Sequence, residues 1–70
     1  MLLNLRQAIY KRMQAKDQEG LLATIHDAID HDERALPGLG VLFEIIWKHS
    51  DEKSQATMVE LIQQHLPEQK

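Results

Sequence analysis

The large apolar side chains of this chain are concentrated in residues 36–47, LPGLGVLFEIIW, which contain its single phenylalanine and its single tryptophan. On a helical wheel of about 100° per residue, the apolar side chains of this segment cover more than half of the circumference. A helix with so wide an apolar surface needs neighbours on several sides. The sequence therefore predicts a central helix from Pro37 to His49. Its predicted apolar centre consists of Leu36, Leu39, Leu42, Phe43, Ile46 and Trp47.

The start of this helix carries one proline and two glycines. Pro37 suits the first helical position, where a backbone N–H has no partner in any case. A phosphate-binding loop needs a preceding strand and a nearby lysine as well as glycines, and the segment around Gly38 and Gly40 has neither. We instead expect the missing Cβ atoms to let another backbone approach closely, which offsets a glycine penalty of about 1 kcal/mol.

Two helices are predicted before this segment. The first spans residues 4–15, with Asn4 and Gln7 at the spacing of a capping box. Its apolar stripe consists of Leu2, Leu5, Ile9 and Met13. The second has Asp17 as its N-cap and ends near His31, because Asp32 would fall on its apolar side. Its stripe consists of Leu21, Leu22, Ile25, Ala28 and Ile29.

The remaining segments complete the predicted fold. Residues 32–35 form a turn, with Leu36 as an apolar anchor before the central helix. Ser50 or Asp51 caps a last helix that Pro67 ends, and residues 67–70 form a frayed tail. The apolar face of this helix consists of Met58, Val59, Leu61, Ile62 and Leu66. The prediction is a compact all-α bundle of about four short helices in one domain, residues 1–70, with the third helix central.

Charge is distributed unevenly along the chain, whose formal net charge is −3. Residues 1–16 carry only basic charges, whereas residues 17–70 carry 4 basic and 11 acidic side chains, a local −7. The basic side chains of the first helix are the alternative candidates for anion or nucleic-acid contact: Arg6, Lys11, Arg12 and Lys16. They flank the apolar stripe on both sides instead of forming one row, and the net charge disfavours nucleic acid. We interpret them as covering apolar surface with their stems and offsetting the acidic segment DAIDHDE.

Three segments together carry a family resemblance. LPGLGVLFEIIWKHSDEK, the N-terminal LNLRQA and the central TIHDAID resemble the small, acid-soluble spore protein I family, minor spore-core proteins of Bacillus-like bacteria. The resemblance runs from Leu3 to about Leu66 and is weakest in YKRMQAKDQEG and in the last helix. It implies a protein made in the forespore late in sporulation and stored in the spore core. It brings no catalytic or binding residues, and the DNA-coating α/β-type spore proteins are a different family.

No residue pattern predicts catalysis. His26 and His31 lie on different helical faces, and His49 and His65 belong to other helices, so only the fold could assemble a metal site. No serine has a histidine and an acid in a recognisable catalytic arrangement. We therefore predict a non-enzymatic protein with no cofactor, no metal and no small-molecule substrate, which has a structural or protein-association role.

Since no catalytic or metal site is predicted, apolar surface is the remaining feature of the sequence that could support a function. The longest apolar run, residues 41–43, is far short of the roughly 20 residues of a membrane span. We expect an intracellular protein without a membrane role, because the stripe of the first helix is needed in a small core. The third helix has more apolar surface than three short neighbours cover, so exposure is expected among Val41, Ile45, Trp47, Val59 and Leu66. A homodimer, an unknown spore-protein partner and a monomer remain open.

Overall fold

The computed structural model describes residues 4–67, which form four α-helices and one 3₁₀ turn. The helices are α1 (Leu5–Gln14), α2 (Gln18–Ala28), α3 (Leu36–Lys48) and α4 (Glu52–His65), and the turn Glu33–Ala35 leads directly into α3. Helix α3 packs most closely against α1, the 3₁₀ turn and α2, and it contacts α4 near the turn that joins them. The predicted helical bundle with a central third helix is confirmed. Leu2 and the tail residues 68–70 lie outside the described residues.

Polar side chains begin α1 and α2 as the sequence predicts. Asn4 Oδ1 accepts a hydrogen bond from the Gln7 N–H at 2.8 Å, and the Gln7 side chain accepts one from the Asn4 N–H at 3.3 Å. The reciprocal bonds complete the predicted capping box. Asp17 caps α2 by accepting from the Gly20 N–H at 2.8 Å. Both helix starts are therefore determined by local sequence.

Helix α4 is bounded by Asp51 and Pro67. Asp51 Oδ1 accepts from the Ser54 N–H at 2.8 Å, whereas the Ser50 hydroxyl donates back to a carbonyl of α3. Asp51, not Ser50, is therefore the cap. At the other end Leu66 takes an extended conformation, with ψ 129°. Proline disfavours the helical region for the residue before it, which explains this end.

Helix α2 ends at Ala28 rather than near His31, so the predicted end is wrong. Ile29 leaves the helix with ψ 129°, and Asp30 then adopts a left-handed φ of 57°. A left-handed residue just after a helix is a common termination, and aspartate tolerates it better than most residues. The reversal turns Ile29 out to the surface, away from the apolar stripe in which the sequence had grouped it.

The buried core is small. Among residues 4–67 only Ile9 of α1 and Val41 of α3 are buried, with 6% and 7% of their surface exposed. Both border the same cleft between α1 and α3. Around them lies a half-buried layer of Tyr10, Met13, Leu21, Ile25, Leu39, Leu42, Trp47 and Met58. Of the stripe of α1, Ile9 and Met13 belong to this core, whereas Leu5 is exposed.

The apolar centre predicted on α3 is only partly buried. Its half-buried members are Leu39, Leu42 and Trp47, and its exposed members are Leu36, Phe43 and Ile46. Val41, which the sequence left as a candidate for exposure, is buried instead. The reason is that α1 covers the side of α3 that carries Val41, while α4 packs less closely on the side that carries Phe43. Leu36 begins the helix at the surface and is not an anchor.

The glycines of α3 do not mark a close backbone approach. A Cβ built at Gly40 would meet no atom within 4 Å, and one at Gly38 would meet only the Met13 Cε at 4.0 Å. The predicted backbone contact is therefore wrong, because side chains fill the interface between α1 and α3. Gly40 lies in open space on the helix.

Replacing Gly40 with alanine is expected to raise the free energy of unfolding by about 0.5–1 kcal/mol, because alanine loses less conformational entropy in a helix. Urea denaturation followed by far-UV circular dichroism measures this change. Gly20 to alanine is the matched control, since its Cβ would lie 3.3 Å from both Asp17 Oδ1 and Lys16 Cβ. We expect a smaller gain there. A lower urea midpoint for Gly40→Ala would contradict the open geometry.

Candidate protein-association surface

An open apolar groove separates α3 from α4. We define the α3–α4 groove by its apolar walls and its charged rim: Phe43 and Trp47 from α3, Val59 and Ile62 from α4, and Glu44 and Lys48 at the edge. It encloses about 460 Å³ and is lined almost wholly by apolar atoms. Burying this apolar surface against a partner would remove it from water, which lowers the free energy, so the groove favours association.

Hydrogen bonds join the two walls near the turn between the helices. Gln55 Nε2 donates to the carbonyl oxygen of Trp47 at 2.8 Å and to that of Ser50 at 3.4 Å. The Phe43 and Trp47 rings have centroids 5.8 Å apart at a tilt of 42°, which forms one aromatic wall. Further along α4 the apolar side chains are exposed, through Ile62 to the helix end. The groove is therefore closed at the turn and open away from it.

The apolar wall of α4 follows helical periodicity. Gln55, Met58, Val59, Ile62 and Leu66 share one face, of which Gln55 and Met58 are half-buried. Leu61, which the sequence grouped with this face, does not line the groove. Sequence reasoning also missed Gln55. The signal that identifies it is its position one turn before Met58 and Val59, at the head of the same stripe.

A two-pronged ion pair joins α1 to α3 at the rim. Arg6 Nε and Nη2 donate to Glu44 Oε1 and Oε2, each at 2.9 Å. The side-chain hydrogen bond from Arg6 lowers the pKa of Glu44, and the same bond raises the pKa of Arg6. Local spacing alone favours an i,i+4 pair between Glu44 and Lys48 on α3. The structure differs because the planar guanidinium of Arg6 can donate two parallel hydrogen bonds to a carboxylate. Lys48 has no ion pair with another described residue.

The basic residues of the first helix lie at different places along α1 and just after it. Arg6 is engaged by Glu44, and Lys11 and Arg12 lie in the last turn of α1. Lys16 follows in the connection to α2. Cations at the carboxyl end of a helix are favoured by its dipole, which gives Lys11 and Arg12 a structural role.

The histidines of the described residues do not converge on a metal site. No group of three or more histidine, cysteine, aspartate or glutamate side chains within residues 4–67 is arranged to hold a metal ion. His49 Nδ1 lies 2.9 Å from the Ile45 carbonyl oxygen, and His65 Nδ1 lies 2.9 Å from that of Leu61. Because a carbonyl only accepts, each ring donates through Nδ1. These two side chains therefore satisfy carbonyls near helix ends.

A second apolar groove lies on the other side of α3. It encloses about 420 Å³ between α1, α2 and α3, and we call it the α2–α3 groove. Its residues are Tyr10, Met13, Gln14, Leu21, Ile25, Leu42, Ile45 and Ile46. The predicted exposure of Ile45 is confirmed here, as it is for Val59 and Leu66 on α4.

Comparison with known proteins identifies one family. The family model for small, acid-soluble spore protein I matches residues 3–66. A Bacillus licheniformis protein named small, acid-soluble spore protein I is 48% identical over 65 residues, which cover 91% of this chain and 93% of the relative. Proteins of the same name from Bacillus cereus and Bacillus anthracis are each 46% identical over 67 residues, 94% of this chain and 97% of the relative. No solved structure matches the chain.

Within residues 4–67, none of the helices combines the length and the hydropathy that crossing a membrane requires.

Proposed function

Because this chain belongs to the small, acid-soluble spore protein I family, we propose that it is a non-enzymatic protein of the spore core that acts through association with a protein surface. The observation that supports this role is the α3–α4 groove. Large apolar side chains remain exposed there. The core itself is small, because only Ile9 and Val41 are buried among the described residues. A marginal core beside an open apolar surface is typical of a protein that is completed by binding.

The shifted titratable groups support a role without catalysis. A hydrogen bond from the Arg34 side chain lowers the pKa of Asp32, and one from the Ser54 N–H lowers the pKa of Asp51. A general acid or base has a pKa moved toward the working pH, whereas these carboxylates and Glu44 are moved away from it. Each of these groups remains charged near neutrality and holds a helix end or an ion pair.

The nucleic-acid alternative receives little support from the geometry. Arg6 forms an ion pair with Glu44. The other basic residues of the first helix belong to a chain whose net charge is −3. Duplex binding depends on neutralising several phosphates with clustered cations. We therefore propose a protein partner rather than a DNA partner.

The proposal is tested with a photoreactive amino acid placed at Phe43 in one variant and at Leu22 in a control. Leu22 is 54% exposed on α2 and lines neither apolar groove. Both variants are produced in sporulating cells of a Bacillus host, irradiated, and recovered from separated spore-core and coat fractions. We expect adducts of defined mass from the Phe43 position, in the core fraction, and none from the Leu22 position.

A parallel measurement addresses the alternative. Fluorescence anisotropy of a labelled duplex at low salt is expected to show no saturable binding by the unmodified chain. Saturable binding that is weakened by Arg12→Ala, together with the absence of position-specific protein adducts, would overturn the proposed function in favour of a nucleic-acid role.

A further inference from the structure

We infer that the occupant of the α3–α4 groove is the apolar stripe of α4, Val59 and Ile62, from a second copy of this chain in a two-fold symmetric homodimer. This inference rests on the proposed function, since it names the partner with which the surface associates. In such an interface each copy supplies both an aromatic wall, from Phe43 and Trp47, and an aliphatic wall, from Val59 and Ile62. A two-fold rotation brings the α4 stripe of each copy to the aromatic wall of the other, so one sequence provides both halves of the contact.

The accessible area of the chain is what a dimer of this kind requires. The chain exposes 6580 Å², whereas a folded monomer of its mass exposes about 4,500 Å² by the usual scaling of area with mass. The Cα radius of gyration is 14.0 Å, compared with about 11 Å for a typical domain of this length. A standard interface removes about 800 Å² from each partner. The excess of about 2,000 Å² over the whole chain is larger than the area that one such interface removes from each copy.

Charge also favours a second copy at this groove. Two chains of net charge −3 repel one another, so self-association needs a surface on which that charge is absent. Residues 54–67 contain one aspartate, glutamate, lysine or arginine, which is Glu60. On the helical wheel Glu60 lies off the stripe of Val59 and Ile62. Two α4 helices can therefore approach through this stripe without burying a charge.

The composition of the groove matches the centre of a protein interface. Aromatic residues and methionine are enriched at such centres and charged residues are depleted from them. Here Phe43 and Trp47 form the aromatic wall, Met58 is half-buried at the closed end, and Lys48 and Glu44 remain at the rim. The α2–α3 groove also contains one aromatic residue and one methionine, Tyr10 and Met13, but it has no tryptophan or phenylalanine. The two grooves differ in burial, because five of the eight residues of the α2–α3 groove belong to the half-buried layer that the fold already uses, whereas Trp47 is the one member of that layer in the α3–α4 groove.

The test is sedimentation equilibrium of the full chain from about 1 μM to about 1 mM, with Trp47 emission recorded on the same samples. We expect the mass to rise to twice that of the monomer, and the Trp47 emission to shift to the blue over the same concentrations. The groove variant is Ile62→Glu, and the matched control is Leu61→Glu at the preceding position. The two side chains are 48% and 53% exposed, but only Ile62 lines the groove.

Ile62→Glu is expected to raise the dissociation constant about 30-fold or more, because a charge is forced into the centre of the interface. Leu61→Glu is expected to change it by less than about threefold. Far-UV circular dichroism of both variants must match that of the parent chain, which separates loss of dimer from loss of fold. A third variant, Ile46→Glu, tests the α2–α3 groove in the same way and is expected to leave the dimer intact.

Three results would overturn the inference. The first is a folded monomer at every concentration, and the second is a dimer that Ile46→Glu dissociates but Ile62→Glu does not. The third is association of the chain with anionic vesicles in place of a dimer, lost in Ile62→Glu. If the chain is monomeric while the Phe43 photoproduct joins it to a different protein, the homodimer fails and the proposed function stands. If the Phe43 position also gives no protein adduct, both fail.

Discussion

Replacing Ile9 with alanine is expected to leave most of the molecules unfolded at 25 °C. Ile9 is one of the two buried side chains of the described residues, and it lies with Val41 at the contact between α1 and α3. Truncation of a buried isoleucine to alanine costs about 2–5 kcal/mol. A core of this size supplies only about 3–5 kcal/mol in total. Urea denaturation followed by far-UV circular dichroism measures the loss.

Two further variants determine whether burial is the cause. Leu22→Ala removes the same number of carbon atoms from an exposed position of α2, and a change of less than about 0.5 kcal/mol is expected. Ile9→Val removes a single methylene and should cost about 0.5–1.5 kcal/mol. If Ile9→Ala were no more destabilising than Leu22→Ala, the stability of the fold would have to come from outside the α1–α3 contact.

The helix starts could be predicted from the sequence because their causes are local. Asn4, Asp17 and Asp51 each accept a hydrogen bond from an N–H three residues later. This geometry depends on the identity of the cap and on a few following residues, so it survives any arrangement of the helices. The same is true of the end of α4, where Pro67 acts on its immediate neighbour.

Features that depend on tertiary structure could not be predicted in this way. The partner of Glu44 is Arg6, 38 residues earlier in the chain, and not Lys48 on the same helix. Local spacing favours the Glu44–Lys48 pair within the helix. The Arg6–Glu44 pair forms instead because of the way in which α1 lies across α3. Gly40 is a similar case. Its sequence context is compatible with close packing or with open space, and only the position of α1 distinguishes the two.

The sequence predicts that apolar surface remains exposed, but it does not predict which side chains form the exposed surface. The apolar circumference of α3 predicts that some large side chains remain exposed, and Ile45, Val59 and Leu66 are exposed. Periodicity does not say which neighbour packs loosely. That is decided by α4, which is tied to α3 by Gln55 near the turn and separates from it further along. The exposure of Phe43 and the burial of Val41 both follow from this arrangement.

Replacing Asp51 with alanine is expected to melt α4 while α1, α2 and α3 remain folded. In the monomer no apolar side chain of α4 is buried, so below the concentration of dimer formation its stability depends on its cap and on Gln55 more than on packing. An isolated helix of this length is marginal in water. Loss of the N-cap is expected to accelerate amide hydrogen exchange throughout α4 on the order of fivefold or more. Exchange at Ile9 and Val41, measured by NMR in the same sample, is expected to change little.

Asp51→Asn is the matched control, because asparagine caps a helix about as well as aspartate. The two caps differ in their response to acid. The hydrogen bond from the Ser54 N–H lowers the pKa of Asp51, so the folded chain holds the carboxylate more strongly than the unfolded chain does. This stabilisation is complete above the unfolded pKa of about 3.9 and is lost as the pH falls through the lower folded value. The protection of α4 relative to Asp51→Asn should therefore decrease below about pH 4, and equal decreases in both chains would rule out the cap as the cause.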